Sequence, residues 1–195
     1  MKKMIAAIGL IAFFQLVPAC AEPRHYRLDP AESRVTFTGN SGLHRFSGTT
    51  SDLTGEMQAD PRSGTLLDMP LVRVPVGSLK TGNEARDHAV QYTLKAKKHP
   101  SIMFRLTKAV SLDTGSPEVM RYRLTGELII GGAARSAEIE AGARFEADNI
   151  RVEGATTLTL DGFGLKPPPL ARVLGVRNEV PVRFETLWKP EEGRG

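Results

Sequence analysis

A period of two runs through this chain and limits what it can fold into. Val35 and Phe37 alternate with Thr36 and Thr38, and Val72, Val74 and Val76 with Arg73, Pro75 and Gly77. Ile102, Phe104 and Leu106 alternate with Met103, Arg105 and Thr107. Tyr122, Leu124, Leu128 and Ile130 share a face with Gly126, and Ile139, Ala141, Ala143 and Phe145 repeat the pattern before Leu158, Leu160, Val180, Val182 and Phe184. Side chains on a strand point to opposite faces in turn, so each segment has one apolar and one polar face, the mark of antiparallel sheet. Turn signals separate the segments at residues 60–64, at 113–117, at Gly131-Gly132 and at Asp148-Asn149. Many short strands with regular turns predict a sandwich or a closed barrel.

One stretch departs from this period. Residues 83–98 carry Ala85, Ala89, Val90, Leu94 and Ala96 with no internal Gly or Pro. Asn83 is a suitable N-cap and Pro100 a stop, which predicts one or two short helices on a crossover between strands. The stiff run Pro167-Pro168-Pro169 reads as a loop lying against the sheet.

The first 21 residues read as an export leader. Lys2 and Lys3 precede an apolar run from Met4 to Val17, and Ala19-Cys20-Ala21 offers the small-x-small pattern of a cleavage site. At about 14 residues the run is short for a membrane span. Cleavage predicts a mature domain of residues 22–195, located in the periplasm, with the sole cysteine removed. The rival reading retains Cys20 as a lipid-anchored N-terminus. Loss of Lys2 and Lys3 lowers the formal charge from +4 to +2. With aromatics at 6% and no Lys/Arg cluster, neither nucleic-acid backbone nor stacked bases have an obvious platform, so no nucleic-acid partner is expected.

Several segments, taken in order, resemble the YceI-like family. They are Tyr26-x-Leu28-Asp29, Val35-x-Phe37, Leu53-Thr54-Gly55-Glu56 and Val76-x-Ser78-Leu79-x-Thr81-Gly82-Asn83. Arg86-Asp87-His88, Pro100-Ser101-Ile102-Met103-Phe104 and Leu124-Thr125-Gly126-Glu127-Leu128-x-Ile130-x-Gly132 follow. Asp161-Gly162-Phe163-Gly164-Leu165 and Val180-x-Val182-x-Phe184 complete the set. The resemblance covers the chain from about Tyr26 to about Glu185. It implies an all-β, lipocalin-like antiparallel barrel of about eight strands and a periplasmic or secreted location. It also implies an apolar lumen that takes a polyisoprenoid chain. The chain departs from the family pattern in lacking a basic residue before Asp161, and in its proline-rich segment from Leu165 to Val173.

The apolar faces nominate Val35, Phe37, Ile102, Phe104, Leu128 and Phe184 as lumen residues. A small eight-stranded barrel can be solid or can hold one ligand, and periodicity does not separate the two. Gly126, Ala137, Ala141 and Ala143 would leave room inside. Arg86 and Asp87 form the most pointed polar pair. In one reading Arg86 holds a ligand head group and Asp87 steadies its fork. In the favoured one the pair is structural, tying the crossover helix to the barrel end, or Asp87 caps a local turn.

His25, His44, His88 and His99 are scattered without metal-ligand spacing, and no Gly-x-Ser-x-Gly or phosphate-cradling loop occurs. No catalytic residue, metal or required cofactor is therefore expected. The reading is a non-enzymatic exported protein that holds a polyisoprenoid, an isoprenoid quinone or a similar amphiphile, for lipid carriage or stress response. It has no transmembrane span in the mature chain, and a homodimer stays open. The alternatives are a lipid-acting enzyme, a quinone-linked electron-transfer partner, or a filled-core structural or stress protein without ligand.

Overall fold

The computed structural model describes residues 24–42, 44–60, 65–112, 119–173 and 175–191. The leader with Cys20, its junction before Glu22, and the turn signals at 61–64 and 113–117 lie outside the described residues.

Eleven antiparallel strands form one curled sheet. They are β1 (Arg24–Leu28), β2 (Arg34–Ser41), β3 (His44–Thr50), β4 (Glu56–Asp60), β5 (Thr65–Leu66) and β6 (Leu71–Pro75), then β7 (Ser101–Leu112), β8 (Met120–Ile130), β9 (Ala133–Glu146), β10 (Asn149–Thr159) and β11 (Glu179–Pro190). From β6 to β11 the strands lie in chain order, each beside the next. β11 then pairs with β2 through Val182 to Glu185 and with β1 through Trp188 to Pro190. β1 and β2 are thus two halves of one bent strand, and β3 and β4, which pair with them, are two halves of another. Counted this way the wall has the eight staves expected, with β5 a two-residue addition.

The bend in the first stave has a local cause. Pro30 has no N–H for a ladder, and Asp29 accepts a hydrogen bond from Ala31 N–H at 2.9 Å, closing a 3-10 turn over Pro30–Glu32. The gap this opens beside β11 is filled by a buried side chain. Leu187 N–H donates to Ser33 Oγ at 3.0 Å.

The sheet curls until its margins meet. Thr49 exchanges two backbone hydrogen bonds with Lys80 (2.9 and 3.0 Å), and Thr54 exchanges two with Arg73 of β6 (3.0 and 2.8 Å). The hydroxyls of Thr50 and Ser78, 2.7 Å apart, tie the same seam.

The turns follow the backbone demands of tight hairpins. Gly131 (φ 56°) and Gly132 (φ 84°) form the two-residue turn between β8 and β9, where positive φ at both positions suits the strand twist. The next hairpin turns one position earlier than the sequence suggests. Its turn residues are Ala147 (φ 51°) and Asp148, while Asn149 already begins β10, and Asp148 is ion-paired to Arg24.

The crossover helix α1 spans Glu84–Thr93, shorter than the expected 83–98. Asn83 caps it by accepting from Arg86 N–H at 2.9 Å. Its end needs no proline. Lys95 takes a left-handed conformation (φ 56°), its N–H reaches Tyr92 O and Ala96 N–H reaches Gln91 O. This is the Schellman pattern with lysine where glycine is usual. A second short helix, α2 (Pro169–Val173), begins on the last of the three prolines, at the position where proline's missing N–H is harmless.

Two apolar clusters hold the barrel. Tyr26, Leu28, Leu53, Met57, Ile150 and Trp188 pack one end, which we call the base. Leu128, Ile130, Phe163 and Leu165 pack the wall near α1.

Candidate ligand-binding site

Inside the barrel lies a cavity of about 730 Å³, within the range of small-molecule sites. β11 borders it from Val180 to Trp188. Eight residue steps at about 3.4 Å on a strand tilted by about 40° give a lumen about 20 Å long along the barrel axis. The lining is almost entirely hydrocarbon, and no described residue lining it is an Asp or Glu. A solid core is therefore not what these residues build.

Val35 and Phe37 on β2, Ile102 and Phe104 on β7, Leu128 on β8 and Phe184 on β11 all border the cavity. Ala141 and Ala143 border it too, whereas Ala137 packs against the Leu128 cluster. Gly126 leaves no space. A Cβ there would lie 2.6 Å from the Phe104 ring and 2.5 Å from Arg105 O.

That contact belongs to a set of four. A Cβ on Gly48 would meet the Phe37 ring at 2.2 Å, on Gly39 the Phe46 ring at 2.2 Å, and on Gly154 the Phe184 ring at 2.5 Å. Phe37–Gly48, Phe46–Gly39 and Phe184–Gly154 are directly opposed pairs on neighbouring strands. Each ring occupies the place of its glycine's missing side chain and lies along the wall. Bulky apolar residues thus face inward without filling the lumen.

Helix α1 covers one end. Ala85, Arg86, Ala89, Val90, Thr93 and Leu94 border the cavity, a stripe at the three-to-four-residue spacing of one helix face. The same end is bounded by Pro167, Pro168 and α2, and by the β2–β3 hairpin. Arg177 N–H donates to Asn40 O at 2.8 Å, binding the segment after α2 to that hairpin. His44 and Arg177 border the cavity and are exposed, so this end opens to solvent and is the mouth. At the far end Tyr122 borders the cavity, and burial pushes its phenol pKa up.

Arg86 and Asp87 do not form the ion pair read from the sequence. Consecutive helical residues point about 100° apart, and these two side chains take different tasks. Asp87 is buried at 6% exposure and accepts from Thr81 Oγ1 at 2.6 Å and from Thr81 N–H at 2.8 Å. The Thr81 hydroxyl bond is the main reason its carboxyl is held below the usual range, with Lys80 and Arg86 adding smaller charge effects. It ties α1 to the turn that carries the seam. Arg86 turns to the cavity, with its guanidinium 4.6 Å from the centre of the Phe46 ring. Among the described residues it makes no ion pair with a carboxylate.

His44, Arg177 and the α1 stripe are lining residues that the strand faces do not nominate. The stripe had a signal, Ala85, Ala89 and Thr93 at i, i+4, i+8. His44 and Arg177 had none, because only the hairpin contact brings their distant segments together. No three His, Cys, Asp or Glu side chains gather into a metal-holding group among the described residues. His25, for instance, meets Gln58, and His99 lies against Gly132.

An antiparallel barrel closed around an apolar cavity defines a ligand-holding class of fold. The YceI-like domain model matches residues 26–187, and the chain belongs to that family. Among solved structures it is similar to BcnA of Burkholderia cenocepacia, with TM-score 0.71 and 18% identity over 82% of this chain and 98% of that one. It is also similar to a polyisoprenoid binding domain from Saccharophagus degradans implicated in plant cell wall breakdown, with TM-score 0.70 and 15% identity over 85% and 98%. The YceI protein of Campylobacter jejuni has TM-score 0.57 and 21% identity over 80% and 85%. No curated protein matches the sequence. Among the described residues no helix is long and apolar enough to cross a membrane.

Proposed function

We propose that this protein is an exported, non-enzymatic carrier that holds a polyisoprenoid, an isoprenoid quinone or a similar long apolar chain in its barrel lumen. The observation that carries this reading is the hydrocarbon-lined cavity running along the barrel axis. Each methylene moved from water into such a lining gains about 0.8 kcal/mol, so a long chain binds through its length with few polar contacts. Membership of the YceI-like family and the fold shared with a polyisoprenoid binding domain support the same ligand class.

Organic extraction of the purified protein followed by mass spectrometry tests it. The expected result is a prenyl or comparable long-chain species near one per protein. A clean extract, together with no uptake of added polyprenol by the stripped protein, refutes it.

Export rests on the leader at residues 1–21. Intact-mass analysis of periplasmic material is expected to show a chain beginning at Glu22. A diacylated chain beginning at Cys20 would instead establish a lipid anchor.

A further inference from the structure

Among the described residues the charged groups on the cavity wall are all cationic and all at one end. Among the described lining residues Arg86 and Arg177 are the formal charges, and His44 is the one other basic side chain. The segments that carry them meet at the β2–β3 hairpin, Arg177 through its backbone N–H. Arg177 is hydrogen-bonded to Asn40, and His44 pairs across the hairpin with Ser41. Arg86 stacks on Phe46, whose ring lies over Gly39, next to Asn40. No ion pair among the described residues engages Arg86 or Arg177. The nearest acid in sequence to Arg86, Asp87, is buried on the other side and engaged by Thr81. Ser41 and Thr159 also border the cavity, but Ser41 Oγ donates to His44 O at 3.1 Å and Thr159 Oγ1 lies beside Gly162.

From this arrangement we infer that the mouth is a head-group site for an anion, so that the ligand is an amphiphile with a long apolar tail and a carboxylate or phosphate head. The inference rests on the lumen holding an apolar chain and adds the chemistry of its polar end. A guanidinium fork donates in-plane to carboxylate or phosphate oxygens, and Arg86 borders the cavity with no carboxylate paired to it among the described residues. Arg177 belongs to the segment just after the proline-rich stretch, so the charge at the mouth is a property of this chain's own crossover. A neutral head, such as a quinone or an alcohol, would leave both guanidinium groups without a counter-charge.

Tail-matched pairs test this with the stripped mature protein, by displacement of a fluorescent apolar reporter at low salt. The probes are hexadecanoate against hexadecan-1-ol, and farnesyl phosphate against farnesol. At least one anion is expected to bind about tenfold or more tighter than its alcohol, the charge-assisted bonds providing the difference. The pair with the larger ratio identifies the head as carboxylate or phosphate. The ratio should shrink in about 1 M salt, where the screening length falls to about 3 Å. It should approach one in Arg86→Gln with Arg177→Gln, while Arg123→Gln on the outer wall keeps the wild-type ratio. If the alcohols match their anions in the wild type, the head-group inference fails and the lumen reading stands. If none of the four displaces the reporter, both fail. The wild-type ratio and its salt dependence decide the matter even if the double variant does not fold.

Discussion

Asp87→Ala should melt well below the wild type, whereas Arg86→Gln should melt close to it. Asp87 accepts two hydrogen bonds from Thr81 in a buried setting, so removing the carboxylate takes the best acceptor from both donors, the hydroxyl keeping only the longer bond to Asn83 O at 3.3 Å. The loss is about 2–4 kcal/mol in all. For a domain of this size that is a fall of roughly 5–15 °C in melting temperature. Arg86 loses only a partly exposed contact with Phe46, about 0.5–1 kcal/mol. The two losses should add in the double variant to within about 0.5 kcal/mol, because the side chains do not pair. If instead the double change recovered stability lost in either single one, Arg86 and Asp87 would be a coupled pair. Acid provides a second reading of the same contact. The Asp87 carboxyl is held below its ordinary value chiefly by the Thr81 hydroxyl. Its contribution is therefore complete above the unfolded pKa of about 3.9 and is lost as pH falls through the lower folded value. Thermal melts of wild type and Asp87→Ala should converge in that window below about pH 4.

Gly126→Val and Gly48→Val should both destabilise, and only the second should be rescued by shortening a phenylalanine. A Cβ on Gly48 meets Phe37 at 2.2 Å and Thr81 Cγ2 at 3.0 Å, all side-chain atoms. At Gly126 the nearest atom is backbone, Arg105 O at 2.5 Å. Each overpacked variant is expected to lose about 1–3 kcal/mol, with Gly126→Val at or above the upper end. Adding Phe37→Ala to Gly48→Val should restore most of the loss. Adding Phe104→Ala to Gly126→Val should not, since the carbonyl remains. In the Phe37→Ala background even Gly48→Ala should turn stabilising by about 0.5–1 kcal/mol, the usual advantage of alanine over glycine within an element. Denaturant titrations of the six variants check this, and rescue at Gly126 would count against the wall geometry.

The period-two pattern made the wall legible because each strand has one wet face, and the outer face carries the ion pairs Arg123–Glu138 and Arg144–Glu153. Asn83 announced the start of α1, because capping is a local event. Its end was not legible. Lys95 stands where glycine would have marked the stop, and an ordinary lysine gives no sign that it will turn left-handed. The break in the first stave did leave a mark, since the inward positions change phase from Tyr26 and Leu28 on β1 to Val35 and Phe37 on β2 across the turn at Pro30. At the site, adjacency in sequence misled. Arg86 and Asp87 look like partners on paper, but a helix sends neighbours in different directions. Gly126 suggested empty space, and only the cross-strand register reveals that a ring from β7 fills it.

The seam has a mechanical meaning for a vessel of this kind. Elsewhere the circumference is held by longer ladders, ten paired positions between β10 and β11 and eleven between β8 and β9. Along the line where β6 meets the β3–β4 stave it is held by two isolated bridges and one hydroxyl contact. A cylinder stretched from within yields where its hoops are thinnest. A guest thicker than the resting bore would part Thr49 from Lys80 and Thr54 from Arg73 before it broke a ladder. Asp87 holds Thr81, the residue beside Lys80, so the helix over the mouth is tied directly to the weakest line of the wall.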